Sequence, residues 1–548
     1  MKKNQIRYLF GLLCIVMITS SFSQNLATRE SATNNYYNKS YDKAGQLFIA
    51  LSEDNPYNSE YLIKGALSLR STGDFLSSNN LLKEALKYGK WPDIYCYYLA
   101  ANYMSLNKPD SAFYWLDRSV YDFKWPDYRR LKTSIFFEAI NSDPRFKKYF
   151  GLYPEVSEKV DRRLADLNFM VEKLQSIHYN IYSKTSKEIW EARLNAVINN
   201  VQKYSDHEFI LELIKLAALA GDGHTKLVYP EEGDYAFHQL PISLYQFKEG
   251  FFVNAATDEF SDLIGKKLVS IGGLSVHEIF GHSIVYAGHE NLQHHKKITP
   301  RFMVLREVLE EVGAQILDNS VILNFESDSQ SFHVPFYHIE KIESQIKYPY
   351  KYELPDSKIR LNNYEDFGYS ALNDSIFYVN IKYILNNDKR TFKAFVNEAL
   401  REFDSLKCSK LVIDLRHCGG GNSEYNKFLL HGLIKRSDQL SNENLIVLIG
   451  RNTYSAAINL VGDIEYHSNA IFVGEPTGCS PNFIGESNVL NLPYTNLYLV
   501  ISNRYHQPGA NNSLDKRPWI APDIYLEPSA QDYFNGKDAV IDFILSEF

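Results

Sequence analysis

Three short segments of this 548-residue chain hold the residue types that acyl transfer to a serine requires. Gly221-Asp222-Gly223-His224-Thr225 offers an imidazole as base. Thr453-Tyr454-Ser455-Ala456-Ala457 offers a hydroxyl nucleophile. Between them, Asp414-Leu415-Arg416-His417-Cys418-Gly419-Gly420-Gly421-Asn422 offers a glycine-rich turn. A base beside a weak nucleophile activates it, and backbone N–H groups stabilise the oxyanion that forms.

Ser455 follows the apolar run Leu445-Ile446-Val447-Leu448-Ile449 and opens a helix at Ala456-Ala457. A serine there is ordinarily a helix N-cap. The helix N-terminus also favours developing negative charge, and small Ala456 and Ala457 permit close approach. Gly419-Gly420-Gly421 follows the strand-like Leu411–Leu415. Such glycines can form a plain βα turn or an anion nest. They can also present the Gly420 N–H, with the Ala456 N–H as second donor, to an oxyanion. No GKS or GKT follows, so the turn differs from a phosphate-binding loop.

Gly288-His289-Glu290-Asn291-Leu292-Gln293-His294-His295 looks like a metal motif. His289 and His294 are five apart, whereas two ligands on one helical face need a spacing of four. It reads as a solvated loop or helix, and no metal or cofactor is expected. Cys96, Cys408, Cys418 and Cys479 stand singly, without CxxC spacing, and read as free thiols.

The elements that must position these groups are legible in outline. Tyr41-Asp42-Lys43-Ala44, Phe75-Leu76-Ser77-Ser78 and Pro109-Asp110-Ser111-Ala112 recur at intervals of 34 residues. Each precedes an apolar helical stretch. Pro56, Pro92 and Pro126 recur at 36 and 34, where helices are expected to end. This period with paired helices resembles tetratricopeptide repeats over residues 25–150, an array of the kind that binds partners or docks on a neighbouring domain. Residues 155–235 read as a helical region, with Leu164, Leu167, Met170, Val171 and Leu174 in helical period. His224 then falls just past a helix end. Residues 236–350 read as a small β-rich module, in which Leu263–Val276 resembles part of a PDZ module. From 360 to 548 strands and helices alternate, which predicts an α/β core that includes a strand at Leu497–Ile501.

Six motifs now stand in order: Asp-Gly-His-Thr at 222–225, Asp-Leu-Arg-x-x-x-Gly-Gly at 414–421, Ser-Ala-Ala at 455–457, Gly-Glu-Pro-Thr-Gly at 474–478, Leu-Pro at 492–493 and Pro-Asp-Ile at 522–524. Together they resemble the tail-specific, or C-terminal processing, protease family over residues 160–548. The resemblance implies a crotonase-like α/β core, serine peptidase activity on peptide or protein substrates, and an exported location. One branch of that family uses a lysine about 25 residues after the serine, in a position held here by Ser480. The other branch, like the tricorn core protease, uses a histidine supported by a serine and a glutamate. His224 matches the histidine, and Gly223 stands in place of the supporting serine. Asp515 is the nearest match to the glutamate, with Asp523 and Glu475 as rivals. The family core also holds apolar ligands in interphotoreceptor retinoid-binding protein, so a catalytically inactive binding protein is the second reading.

In bulk the chain is ordinary for a multidomain globular protein, with 45% hydrophobic and 23% charged residues. Lys2, Lys3 and Arg7 precede the apolar stretch Tyr8–Ile18 and the small residues Thr19, Ser20, Ser21 and Ser23, the pattern of a signal peptide over 1–24. Its loss takes three basic residues and moves the net charge from −8 to −11. With no long basic run, nucleic-acid binding is disfavoured. The expected product is exported to the periplasm or medium and has no membrane span after cleavage. A neutral imidazole base of ordinary pKa predicts activity falling below about pH 6–7, and a rate flat from pH 5 to 8 speaks against it.

Overall fold

A computed structural model describes residues 28–125, 127–152, 158–288, 290–326, 330–348, 359–363, 366–441, 443–509 and 512–548. The segment 1–24 read as a signal peptide, Pro126 and His289 lie outside them. The chain divides into two compact units. The first comprises residues up to 157 with 489–494, and the second comprises 158–488 and 495–548.

The first unit is helical. Helices Tyr41–Asp54, Ser59–Ser71, Phe75–Tyr88, Pro92–Ser105 and Pro109–Asp117 each pack on the next. Alternate helices begin at 41, 75 and 109, which is the sequence period realised in space. Small residues set the spacing, since a Cβ on Gly65 would sit 3.1 Å from Leu81 Cδ1 and 3.4 Å from Phe48 Cβ. Asn58 and Asp74 cap their helices by accepting backbone N–H groups of the first turn. Pro56 follows the end of helix Tyr41–Asp54, as expected. Pro92 instead opens a helix, as Pro109 does, because the first turn needs no N–H from that position and a φ near −65° suits it.

The second unit starts with helices Lys159–Ile177, Lys187–Asn200 and Asp206–Ala218, the last begun by a Ser205/Glu208 capping box. A β-rich module follows. It contains the hairpin Ile242–Phe247/Gly250–Ala256, a five-stranded sheet centred on Leu268–Ile271 and Ser320–Phe325, and helix Val276–Ser283. Phe251, Val253, Ile271, Ile279 and Leu323 are its interior.

The remaining core is a seven-stranded sheet in the order Ile359–Asn363, Phe367–Ala371, Ile376–Ile381, Lys410–Asp414, Leu445–Ile449, Ile471–Gly474 and Ile524–Tyr525. The first three strands are antiparallel neighbours, and the rest run parallel to Ile376–Ile381. Helices Phe392–Leu406, Asn426–Ile434 and Ala456–His467 cross between parallel strands. Buried apolar clusters cover both faces, so central strands such as Leu445–Ile449 are apolar throughout. One expectation fails here. The strand Tyr498–His506 is not in this sheet. It pairs antiparallel with the two-residue strand Lys226–Leu227, immediately after His224. Alternation of apolar residues marks a strand but does not say which edge it joins.

Candidate active site

The glycine turn and the serine loop are built against each other at the carboxyl ends of adjacent parallel strands. Thr453 Oγ1 donates to the Leu415 carbonyl at 2.8 Å and accepts from Gly450 N–H at 3.0 Å. Tyr454 N–H donates to the Cys418 carbonyl. Asn426 Nδ2 donates to the Ala456 carbonyl at 2.9 Å. Ser455 is thereby held at φ 57° and ψ −124°. This is not the ordinary left-handed helical well, which Lys407 occupies at φ 56° and ψ 31°. A non-glycine residue there costs of order 1–3 kcal/mol, which the surrounding bonds must offset. Ser455 also begins helix Ala456–His467, and its side chain makes no cap hydrogen bond. The bland N-cap explanation of this serine therefore does not hold.

Gly420 lies directly against the serine. A Cβ on it would stand 2.7 Å from Ser455 Cβ and 3.1 Å from the Ala456 nitrogen, and its φ of 112° is one that L side chains rarely adopt. The turn is fixed by Gly419 N–H on the Lys382 carbonyl and by Ile384 N–H on the Gly420 carbonyl. The Gly420 N–H touches the buried Cys418 thiol, and the Ser455 N–H touches the buried Cys479 thiol. Thiols are weak acceptors, so these donors are lightly held. The Ala456 N–H has no hydrogen-bond acceptor among the described residues.

His224 reaches this loop through Asp222. The Asp222 carboxylate is buried and accepts from His224 N–H at 3.0 Å, Thr225 N–H at 2.7 Å and Ser502 Oγ at 2.9 Å, and it pairs with His178 Nε2 at 2.8 Å. The imidazole stacks on Tyr454 (4.6 Å between centroids) and on Phe483 (5.6 Å). Its Nδ1 shares a hydrogen bond with Tyr454 Oη at 3.1 Å, and its buried Nε2 has no partner. Burial pushes its pKa down to about 4 against the pull of Asp222, with Lys226, His506 and Lys297 adding to the drop. It is uncharged at neutral pH. The acid limb expected near pH 6–7 is therefore moved well below that range, and flatness from pH 5 to 8 no longer speaks against an imidazole base.

Among the described residues no carboxylate hydrogen-bonds this ring. Asp515, the residue matched to the family's glutamate, is tied to Arg517, which also binds Glu465. Asp523 accepts the Phe472 N–H at 2.8 Å. Glu475 holds the buried Arg451 guanidinium at 2.6–3.2 Å. Tyr454 Oη takes the orienting place instead. A side chain on Gly223 would collide with that hydroxyl and with His294 Nε2, 2.7 Å away. A serine at position 223 and the tyrosine at 454 thus exclude each other.

The segment read as a solvated loop or helix turns out to line this site. Glu290 accepts the Gly223 N–H at 3.2 Å. Burial, with the nearby Asp222 charge second, pushes its pKa up to about 8, so it stays protonated beside the ionised Asp222. From helix Leu292–Phe302, buried His294 stacks on Tyr454 at 5.2 Å, and Lys297 Nζ lies 5.5 Å from the same ring. Burial pushes Lys297 down to about 8. Only the metal-ligand spacing drew attention to this segment, and that signal concerned the wrong chemistry. Among the described residues no cluster of three or more His, Cys, Asp or Glu could hold a metal ion. Among the described residues Cys96, Cys408, Cys418 and Cys479 are buried free thiols.

No family model matches the sequence, and no curated protein matches it. Solved structures do. Mature CPAF complexed with lactacystin superposes with a TM-score of 0.51 at 13% identity, over 70% of this chain and 97% of that one. Mature CPAF alone gives 0.53 at 12%, over 70% and 96%. The photosystem II D1 C-terminal processing protease aligns over 70% and 99% at 12% identity, with a TM-score of 0.33 too low to argue from. The protein is a helical array followed by a mixed α/β region with the fold of mature CPAF.

Proposed function

We propose that this chain is an exported serine peptidase that hydrolyses peptide bonds through a Ser455 acyl-enzyme. The observation that carries the reading is the forced backbone of Ser455, uncapped at a helix N-terminus, with an uncharged His224 hydrogen-bonded to the adjoining Tyr454. Strain of this kind persists where a function needs the side chain in one place. His224, with its proton on Nδ1 toward Tyr454 Oη, presents the Nε2 lone pair. That nitrogen takes the Ser455 proton as Oγ attacks the peptide carbonyl. The Gly420 N–H leaves the Cys418 thiol and joins the unengaged Ala456 N–H at the oxyanion. His224 then gives its proton to the leaving amine, and water, activated by the same nitrogen, releases the acyl group. In this reading the N-terminal array is tetratricopeptide-like and available to a protein partner, the β-rich module is PDZ-like, the α/β core is crotonase-like, and the location is periplasmic or extracellular.

A second reading, an inactive family member that binds peptides or apolar ligands, is favoured by the lack of a carboxylate on His224. The test is fluorophosphonate labelling of residues 25–548, with Ser455→Ala and His224→Ala in parallel. Labelling that needs both side chains is the expected outcome. A folded wild type that stays unlabelled beside known serine hydrolases favours the binding reading.

A further inference from the structure

Lys226, Lys297 and Arg301 are three cations grouped at the candidate site without a counter-ion. Lys226 stands two residues after His224 on the strand paired with Tyr498–His506. Lys297 is one helical turn beyond His294 and 5.5 Å from the Tyr454 ring centroid, and Arg301 is one further turn along the same helix. At spacings of three and four these side chains share a helix face. None of the three makes an ion pair or hydrogen bond with any described residue. The neighbouring acids are already committed. Asp222 is bound to His178, Ser502 and two backbone N–H groups. Glu290 is protonated at neutral pH. Glu231 feels Arg301 but forms no ion pair with it.

Uncompensated like charges are costly when partly withdrawn from water, and proteins keep them where a ligand supplies the opposite charge. Lys297 is only partly exposed. Lys226 is solvent-exposed, and the protein around it still lowers its pKa by desolvation. The cations also feel one another, since Arg301 lowers the pKa of both lysines after burial does. A second feature points to a ligand in the same place. The buried His224 Nε2 and His294 Nδ1 have no hydrogen-bond partner among the described residues.

We propose that Lys297, with Lys226 and Arg301, forms a subsite that binds a carboxylate of the peptide next to the bond held at Ser455. The carboxylate comes either from an Asp or Glu side chain or from the peptide's own C-terminus. This inference rests on the peptidase reading only in taking a peptide as the ligand.

Binding to the full mature chain carrying Ser455→Ala tests it without any turnover. Competition fluorescence anisotropy would be run with positional-scanning hexapeptide libraries, each with one position fixed as Glu or as Gln, and with free or amidated C-termini. A charge-assisted hydrogen bond contributes about 1.5–3 kcal/mol, so the preferred carboxylate should tighten binding by about tenfold to hundredfold. A preference at one Glu position assigns the side chain, and a preference for the free acid assigns the terminus. Added Lys297→Gln should remove most of that preference, and Lys297→Arg should retain it, with thermal melts confirming both variants are folded. Equal binding of acid and amide forms at every position, including no binding of any, overturns the proposal. So does a preference that Lys297→Gln leaves unchanged. Failure of fluorophosphonate labelling in the active chain bears on the peptidase reading and not on this one.

Discussion

The pH dependence of Ser455 labelling follows from the surroundings of His224. An imidazole in water titrates near 6.5, whereas burial against Tyr454 and Phe483 brings His224 to about 4. That difference disfavours imidazolium by roughly 3 kcal/mol. At pH 5 an ordinary imidazole would be only ~3% neutral, while His224 is ~90% neutral. The second-order rate of fluorophosphonate labelling, measured from pH 3.5 to 9, should therefore change by less than about twofold between pH 5 and 7, and fall below about pH 4.5. The sign of the linked stability term is the same. A depressed histidine contributes fully above 6.5, and its contribution is lost as pH falls from 6.5 to about 4. Near-ultraviolet circular dichroism must accordingly be followed beside the rate. Glu290 acts in the opposite sense. With its pKa raised to about 8, its contribution is complete below about 4.5 and is lost as pH rises through 8. A labelling midpoint near 6.5 in the folded protein would refute the burial argument. A midpoint near 8 that disappears in Lys297→Gln would make Lys297 the base and refute the role given to His224.

Three further outcomes are expected. Tyr454→Phe removes the hydrogen-bond partner of His224 Nδ1, and should slow labelling by about tenfold to hundredfold with little change in melting temperature, because one orienting hydrogen bond is lost. Gly420→Ala puts a methyl 2.7 Å from Ser455 Cβ at a φ of 112°, and should lower labelling by at least about a hundredfold while circular dichroism reports an intact fold. Asp515→Asn loosens an ion pair with Arg517 and should leave the labelling rate within about twofold, since such pairs contribute at most about 1 kcal/mol to stability; a large loss would restore Asp515 to the site.

Much of the fold was legible because it is written in local patterns. The 34-residue period places helix starts at 41, 75 and 109, and the apolar run 445–449 is a strand buried on both faces. Two errors have one cause. The sequence pattern puts Pro92 at the end of a helix it opens, and puts the strand read at Leu497–Ile501 in a sheet it does not join. In each case the local pattern names an element but not its polarity or its neighbour. The carboxylate error is of another kind. Asp515 was chosen by alignment order, and its actual partner, Arg517, is two residues away in the chain.

The sequence by itself determined which groups could do acyl-transfer chemistry. Ser455 before Ala456-Ala457, three glycines after a strand, and a histidine after a helix are local arrangements that chain connectivity alone preserves. Only the tertiary structure decided what those groups are bonded to. Tyr454 in place of a carboxylate, Glu290 protonated beside Asp222, and Lys297 over the Tyr454 ring all join segments far apart in the chain. Their pKa values follow from burial and from neighbouring charge, which exist only once those segments have packed together.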